Sequence, residues 1–297
     1  MKENGNMTDV DGDNAEADVK DKEHVSDEDG DNGKSDMKDS GNMSNIDEDN
    51  SEADMRDKGN VKMFIMRAGL ELEMVYVPGG TFTMGATAEQ GGEADDDEKP
   101  AHSVTLSGYY IGKYEVTQKQ WKAIMGNNPS YYEGDHLPVE NVSWYDCQEF
   151  IRKLNEMTGE KFSLPTEAQW EYAARGGKSG GTKYSGSDNI KHVVWYRDNS
   201  RFVTHPVKMK SPNGLGIYDM SGNVHEWCQD WYDENYYQNS PQINPTGPDT
   251  GYSRVVRSGS IWDDARSCRV SKRGHWSPDS ELDVIGFRLC CPGFKVK

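Results

Sequence analysis

The first sixty residues contain no tryptophan, tyrosine or phenylalanine and few branched apolar residues. A segment with so little to bury cannot offset the entropy of ordering its chain, so it is expected to stay unfolded. Its charge is lopsided, with twenty acidic against seven basic side chains, which places about −13 of the chain's net −18 there. Nowhere are bases concentrated enough to neutralise phosphates, so nucleic acid is not an expected partner. No apolar run follows Met1-Lys2-Glu3-Asn4, so no secretory signal is read, and no window approaches a membrane span. The expectation is a cytoplasmic protein, with surface display open if the start site is misassigned. Cysteine is scarce too: Cys147, Cys228, Cys268, Cys290 and Cys291 are odd in number and lack framework spacing. Reduced thiols are expected rather than a disulfide scaffold.

What the acidic segment does contain is a repeat. Gly5–Lys22 and Gly41–Lys58 are near copies, and Glu23–Ser40 keeps the same register, an 18-residue period three times over. The units have no apolar face to stack, so they predict a solvated spacer over residues 1–62 rather than a solenoid. Asp9-x-Asp11-x-Asp13 and Asp27-x-Asp29-x-Asp31 resemble calcium loops but lack the turn glycine in register and the closing glutamate. Residues 63–71 read as a linker, 72–291 as the folded domain and 292–297 as a tail.

The domain opens with LEMVYVPGGTFTMG (Leu72–Gly85), which predicts two strands joined by a tight turn at Pro78-Gly79-Gly80. HSVTL (His102–Leu106) predicts a further strand. Thr117-x-x-Gln120, Ser143-x-x-Asp146 and Thr166-x-x-Gln169 each place a hydroxyl and a polar partner three residues on, the signature of a helix start. In the second helix Cys147, Phe150, Ile151 and Leu154 share one face, which assigns Cys147 to the core. Gly176-Gly177 should stop the third. Beyond Gly177 the chain is loop-rich, and its buried peptide groups will need partners that no regular ladder supplies.

The ordered series MVYVPGGTFTMG, EKPAHSVTL, YIGKYEVTQKQW, LPVENVSWYDCQEF, LPTEAQWEYAARGG, THPV, NGLGIYDMSGNVHEW, RVVRSGS and IGFRL resembles the formylglycine-generating enzyme, or sulfatase-modifying factor, family. The likeness runs from about Leu72 to Leu289. It implies an irregular α+β fold related to C-type lectins. It also implies an activity, the copper- and oxygen-dependent oxidation of a sulfatase cysteine to formylglycine, in which two thiolates hold Cu(I). In active members the first thiolate stands three residues after the serine of a GGS turn and the second five further on. Here the turn is Ser258-Gly259-Ser260, so those positions are Asp263 and Cys268. Ser260 and Cys268 match and the first ligand does not. A carboxylate is a poor Cu(I) ligand, so copper is not expected and any catalysis would rest on Cys268 and Ser260 alone.

The resemblance further implies structural calcium held by Asp219 and Glu226 with the carbonyls of Gly222 and Val224, a donor set suited to a hard cation. The other reading is that Asp219 caps a turn and Glu226 pairs with an arginine. His225 stands where active members usually have tryptophan and is expected to line a cleft or cap a loop. No histidine pair has the spacing of the iron-dependent relatives, and no GxSxG elbow occurs.

Between the fixed landmarks of the last thirty residues the side chains are chemically mixed: Ile261, Asp263, Asp264, Ser267, Lys272, His275, Trp276, Glu281 and Asp283. Aromatics, a histidine and both charge signs on a rigid scaffold suit recognition. The layout also resembles the variable proteins of diversity-generating retroelements, which carry a changeable patch near the C-terminus of a lectin-like fold. Trp262 is expected in the core and Trp276 on the surface. The sequence therefore predicts a ligand-binding member of this family, its ligand a protein, peptide or glycan, with formylglycine-generating oxidation as the alternative.

Overall fold

The computed structural model describes residues 54–58, 61–66, 70–177 and 181–293. The expected repeat spacer lies almost wholly outside them, as does the end of the tail. The three capping signatures are all realised. α1 (Gln118–Met125), α2 (Trp144–Thr158) and α3 (Glu167–Ala174) begin after Thr117, Ser143 and Thr166. In each, the cap hydroxyl accepts the N–H three residues on, and that residue's side chain accepts the cap's own N–H. Each such reciprocal cap is worth about 0.5–2 kcal/mol. Left-handed Gly126 and Gly159 close the first two helices, and left-handed Gly176 and Gly177 follow the third.

The strands form three sheets. β1 (Asp54–Lys58), β2 (Val61–Met66), β3 (Leu70–Val77), β6 (Tyr109–Gly112) and β11 (Cys290–Pro292) are ordered β1-β2-β3-β6-β11, every pair antiparallel. β4 (Gly80–Met84) pairs with β5 (His102–Leu106). The third sheet, ordered β10-β7-β8-β9, contains β7 (His225–Trp231), β8 (Arg254–Arg257), β9 (Gly274–Trp276) and β10 (Ile285–Gly286).

Two sequence expectations change here. The strands flanking Pro78-Gly79 do form, but they do not pair; β3 joins β6 and β4 joins β5. A Cβ on Gly79 would lie 2.8 Å from both Gly108 N and Leu106 O, so the turn serves close packing between sheets rather than a hairpin. Strands also occur upstream of the expected domain start at Leu72. β1 occupies the end of the predicted spacer, and β2 crosses into the predicted linker. Phe64 is the anchor: it is buried and meets Phe162 edge-on at 5.2 Å.

Among the described residues the core has two large clusters and a small third one around Tyr184, Val194 and Cys268. The first large cluster surrounds α1 and α2, where Trp121 stacks on Phe150 and Phe287 meets both edge-on. Cys147 is buried there, as its helical position requires. The second packs α3, through Trp170, Tyr172 and Ala173, against β4, β5 and β8. The loop-rich second half of the chain is tied to these cores by buried arginines. Arg288 donates to the carbonyls of Gly112 and Tyr218, Arg175 to that of Gly85, Arg257 to that of Val270, and Arg273 to those of Asp97 and Asp233. Their charges meet Glu226, Glu171 and Glu167 at 2.6–2.9 Å. A planar guanidinium with five donors satisfies one or two loop carbonyls and a carboxylate at once, which is how irregular backbone is buried here.

A cleft beside the would-be copper position

β8 ends at Arg257, and the next two residues turn sharply. Ser258 has φ +86° and Gly259 φ +71°. A Cβ on Gly259 would sit 2.8 Å from the Cys268 Sγ, so glycine allows the turn to lie directly against that sulfur. Cys268 is fully buried. Burial, reinforced by Asp263 and Asp264, pushes its thiol well above the usual range, so it is a neutral thiol and not a nucleophile.

Asp263 is occupied on the protein's own terms. Its Oδ2 accepts from Ser260 Oγ at 2.6 Å and lies 2.9 Å from His225 Nε2. Burial alone would raise this carboxyl, but the hydrogen bonds from His225 and Ser260 outweigh it and hold it below the usual carboxylate range. Where two cysteines would grip cuprous ion, the chain thus offers one cysteine, one bonded carboxylate and one imidazole. That donor set does not fit Cu(I).

In front of this turn lies a cleft of about 410 Å³. Of the residues singled out by sequence, Asp263, Ser267, Lys272, His275 and Trp276 line it together, and Ser260 supports it through Asp263. His225 lines it as well, as expected. Tyr232 stacks on His275, the ring centroids 4.0 Å apart and 23° from parallel, and Trp276 stands exposed at the rim. Burial holds the His275 imidazole below its ordinary range. The opposite wall was not foreseen. The acidic run Asp95–Glu98 lies against the cleft and is clipped to the C-terminal segment. Lys272 Nζ reaches Asp95 at 2.6 Å, Tyr232 Oη donates to Asp97 at 2.8 Å, and Arg269 pairs with buried Glu98. The run Asp95-Asp96-Asp97-Glu98 was the available signal, but only the fold shows that it faces the mixed-charge segment. Among the described residues, carboxylate oxygens of Asp95, Asp97 and Glu98 lie within 4.8 Å of one another, and the nearby cations offset them.

The other candidates fall elsewhere. Asp264 caps the 3₁₀ turn at Ala265–Cys268 by accepting the Ser267 N–H. Glu281 is exposed and Asp283 half-buried, both outside the cleft. Ile261 and Trp262 exchange their expected places: Ile261 is fully buried, whereas Trp262 is 53% exposed. The backbone explains the reversal. The Ile261 N–H donates to Asn223 O and its carbonyl accepts from Ser200 Oγ, which fixes Ile261 inward and sends the next side chain out.

Around the expected calcium residues, Glu226 accepts two 2.6 Å bonds from Arg288 and one from Trp170 Nε1 at 2.7 Å. Buried Asp219 accepts the Lys208 N–H at 2.8 Å, and the Gly222 carbonyl accepts from Ser258 Oγ. Burial, with Asp219 nearby, pushes the carboxyl of buried Glu115 well above the usual carboxylate range, and among the described residues its Oε2 has no hydrogen-bond partner. Sequence reasoning did not include it.

The chain is 33% identical to the chaperone protein LppX of Paenibacillus barcinonensis, over 72% of this chain and 89% of that protein. It is 31% identical to the formylglycine-generating enzyme of Streptomyces coelicolor, over 72% and 87% of the two. In structure it is similar to Treponema denticola variable protein 1, with TM-score 0.71 and 32% identity, covering 80% of this chain and all of that one. It is also similar to PvdO from Pseudomonas aeruginosa, with TM-score 0.66 and 27% identity over 74% of this chain and 94% of that one. The sulfatase-modifying factor enzyme 1-like domain model matches residues 66–291, so the chain belongs to that family.

Proposed function

We propose that this chain is a non-catalytic recognition protein that binds a protein, peptide or glycan ligand in the cleft at the Asp263–Trp276 segment. The observation that carries the reading is Asp263. It stands where the family's first copper thiolate belongs, locked between His225 and Ser260, while Cys268 behind it is a buried neutral thiol. The test is incubation of the purified chain with Cu(I), oxygen and a cysteine-containing sulfatase-motif peptide. No aldehyde product is expected by mass spectrometry. Aldehyde formation that disappears in Cys268→Ala would restore the oxidase.

The likeness to a variable protein supports a finer reading, that residues 261–284 are the changeable patch of a diversity-generating retroelement. The DNA encoding Ile261–Val284 should then have a near-copy close by that differs at adenines, beside a reverse transcriptase. A genomic neighbourhood without that copy removes this reading and leaves the cleft.

Structural calcium is the second finer reading. Asp219 and Glu226 would hold it with the carbonyls of Gly222 and Val224. Three buried carboxylates, those of Glu115, Asp219 and Glu226, face one buried guanidinium, that of Arg288. A hard cation would favour the ionised forms of carboxyls that burial otherwise pushes up, supplying rigidity to the turn that feeds β7 rather than any chemistry. No helix among the described residues is long and apolar enough to cross a membrane. Free cysteines without framework spacing support a cytoplasmic site of action, and the acidic composition supports the exclusion of nucleic acid; both form part of the same proposal.

A further inference from the structure

We propose a second binding site, for one neutral sugar ring, in a cavity that shares no lining residue with the cleft. The cavity measures about 320 Å³ and lies where the end of β5, the start of β6, the first turn of α3 and β11 come together. Small-molecule sites start at about 300 Å³ and combine an apolar lining with a few placed polar groups.

The lining has that construction. Leu106, Tyr109, Pro245 and Cys290 are buried and supply the apolar part. The polar part is fixed by hydrogen bonds that leave particular groups over. Gln169 completes the α3 capping box, so its Oε1 is spent on the Thr166 N–H at 2.9 Å and also accepts from Cys290 Sγ at 3.6 Å. Tyr109 Oη donates to the Gln169 carbonyl at 2.6 Å and holds the same residue. The Gln169 Nε2 is left without a partner among the described residues. Ser163 exchanges two backbone hydrogen bonds with Cys290, at 2.7 and 2.8 Å, and its hydroxyl is likewise unpartnered among the described residues. A third segment is locked by Asn244, which is left-handed at φ +46°. Its N–H donates to Thr105 O, its Oδ1 accepts the Ser107 N–H at 2.9 Å, and its Nδ2 donates to Ser107 Oγ at 3.1 Å. Two residues on, Thr246 brings the third unpartnered group to the lining, its hydroxyl.

Charge and chemistry choose the occupant. Among the described residues no Asp, Glu, Lys, Arg or His lines this cavity, whereas acids and bases of both signs line the cleft. A charged ligand would shed its hydration here against no opposite charge, which is costly. A wholly apolar ligand would strip water from an amide and two hydroxyls and leave them unbonded. The Gln169 amide nitrogen donates, and the hydroxyls of Ser163 and Thr246 donate and accept. The ligand that satisfies all three is neutral, carries donors and acceptors around its edge and has an apolar body. A neutral pyranose, with hydroxyls at its rim and C–H groups on its faces, is such a body. With no carboxylate in the lining, no cation is needed to bridge sugar and protein.

The experiment titrates the full chain with glucose, galactose, mannose and N-acetylglucosamine by calorimetry and ligand-observed NMR. Glucuronic acid and an uncharged acetyl-dipeptide amide serve as comparison arms. Gln169→Glu keeps an Oε for the Thr166 N–H, and with it the helix cap, but removes the Nε2 donors. Thr246→Val removes a hydroxyl at nearly constant shape, and Trp276→Ala probes the cleft; thermal melts establish that each variant is folded. The expected result is a neutral sugar whose affinity falls tenfold or more in Gln169→Glu and falls in Thr246→Val. Trp276→Ala and a calcium chelator should leave that affinity unchanged. No binding of any neutral sugar overturns the site, as does preference for glucuronic acid or for the dipeptide amide. A sugar lost in Trp276→Ala and kept in Gln169→Glu sits in the cleft, which overturns this inference and leaves the recognition reading standing.

Discussion

Asp263 and Arg288 show how a few side chains decide what this scaffold does. At Asp263 a carboxylate replaces a soft ligand, and the protein has recruited His225 and Ser260 to satisfy it. That replacement was legible in the sequence, because it needs only the spacing from the Ser258-Gly259-Ser260 turn. Burial at Ile261 and exposure at Trp262 were not, since a one-residue choice of inward direction is set by Asn223 and Ser200, remote in sequence. Arg288 lies in the IGFRL landmark, but its role emerges only in three dimensions. Fully buried, it bonds both oxygens of Glu226 and two loop carbonyls. Arg288→Leu leaves Glu226 as an uncompensated buried charge and two carbonyls without donors. We expect it to destabilise the domain by about 3–5 kcal/mol, read from the urea midpoint at unchanged m-value. A loss under about 1 kcal/mol, within the range of an ordinary surface pair, would show that the guanidinium is not what holds these loops.

At the scale of elements, local signals were read well and pairings poorly. The three capping boxes are short-range chemistry, and all three form. The turn at Pro78-Gly79-Gly80 looks the same in sequence whether its strands pair or part. β1 falls inside the third acidic repeat, whose composition gives no strand signal, so it was not foreseen. Elements also hold buried acids that make stability depend on pH. Burial pushes Glu140, whose Oε1 accepts the Tyr132 N–H, up to about 7. Burial, with Glu167 nearby, pushes Asp230 up to about 8. Both carboxyls are protonated in the fold at a pH where they ionise in the unfolded chain. Their contribution is therefore present in full below about pH 4 and lost as pH rises through 7 and 8. Glu98, Glu167 and Asp263 are held low and act oppositely, at the acid end. Thermal melts from pH 5 to 8.5 should show the melting temperature falling as pH rises, and Glu140→Gln should flatten that slope. If calcium occupies the Asp219 turn, a chelator should lower the melting temperature further at each pH. A flat profile contradicts the buried acids, and no chelator effect contradicts the calcium reading.

Taken whole, the molecule is a family scaffold whose rigid parts are retained and whose reactive centre is dismantled. The nine sequence landmarks built the sheets, helices and arginine staples, so the fold was visible from motif order. The face of the site was visible only in part. Asp95 and Asp97 join the C-terminal segment across more than a hundred residues of chain, and Tyr232 joins it from the end of β7. No local pattern in the sequence marks such convergence. The central claim is that this site cannot hold cuprous ion as a copper oxidase must. Titration of Cu(I) into the chain against a competing chelator, with Cys268→Ala and Asp263→Cys beside it, tests that claim most directly. The account predicts weak binding that Cys268→Ala leaves unchanged and that Asp263→Cys strengthens. Stoichiometric, sub-nanomolar Cu(I) in the unaltered chain that vanishes in Cys268→Ala would contradict it.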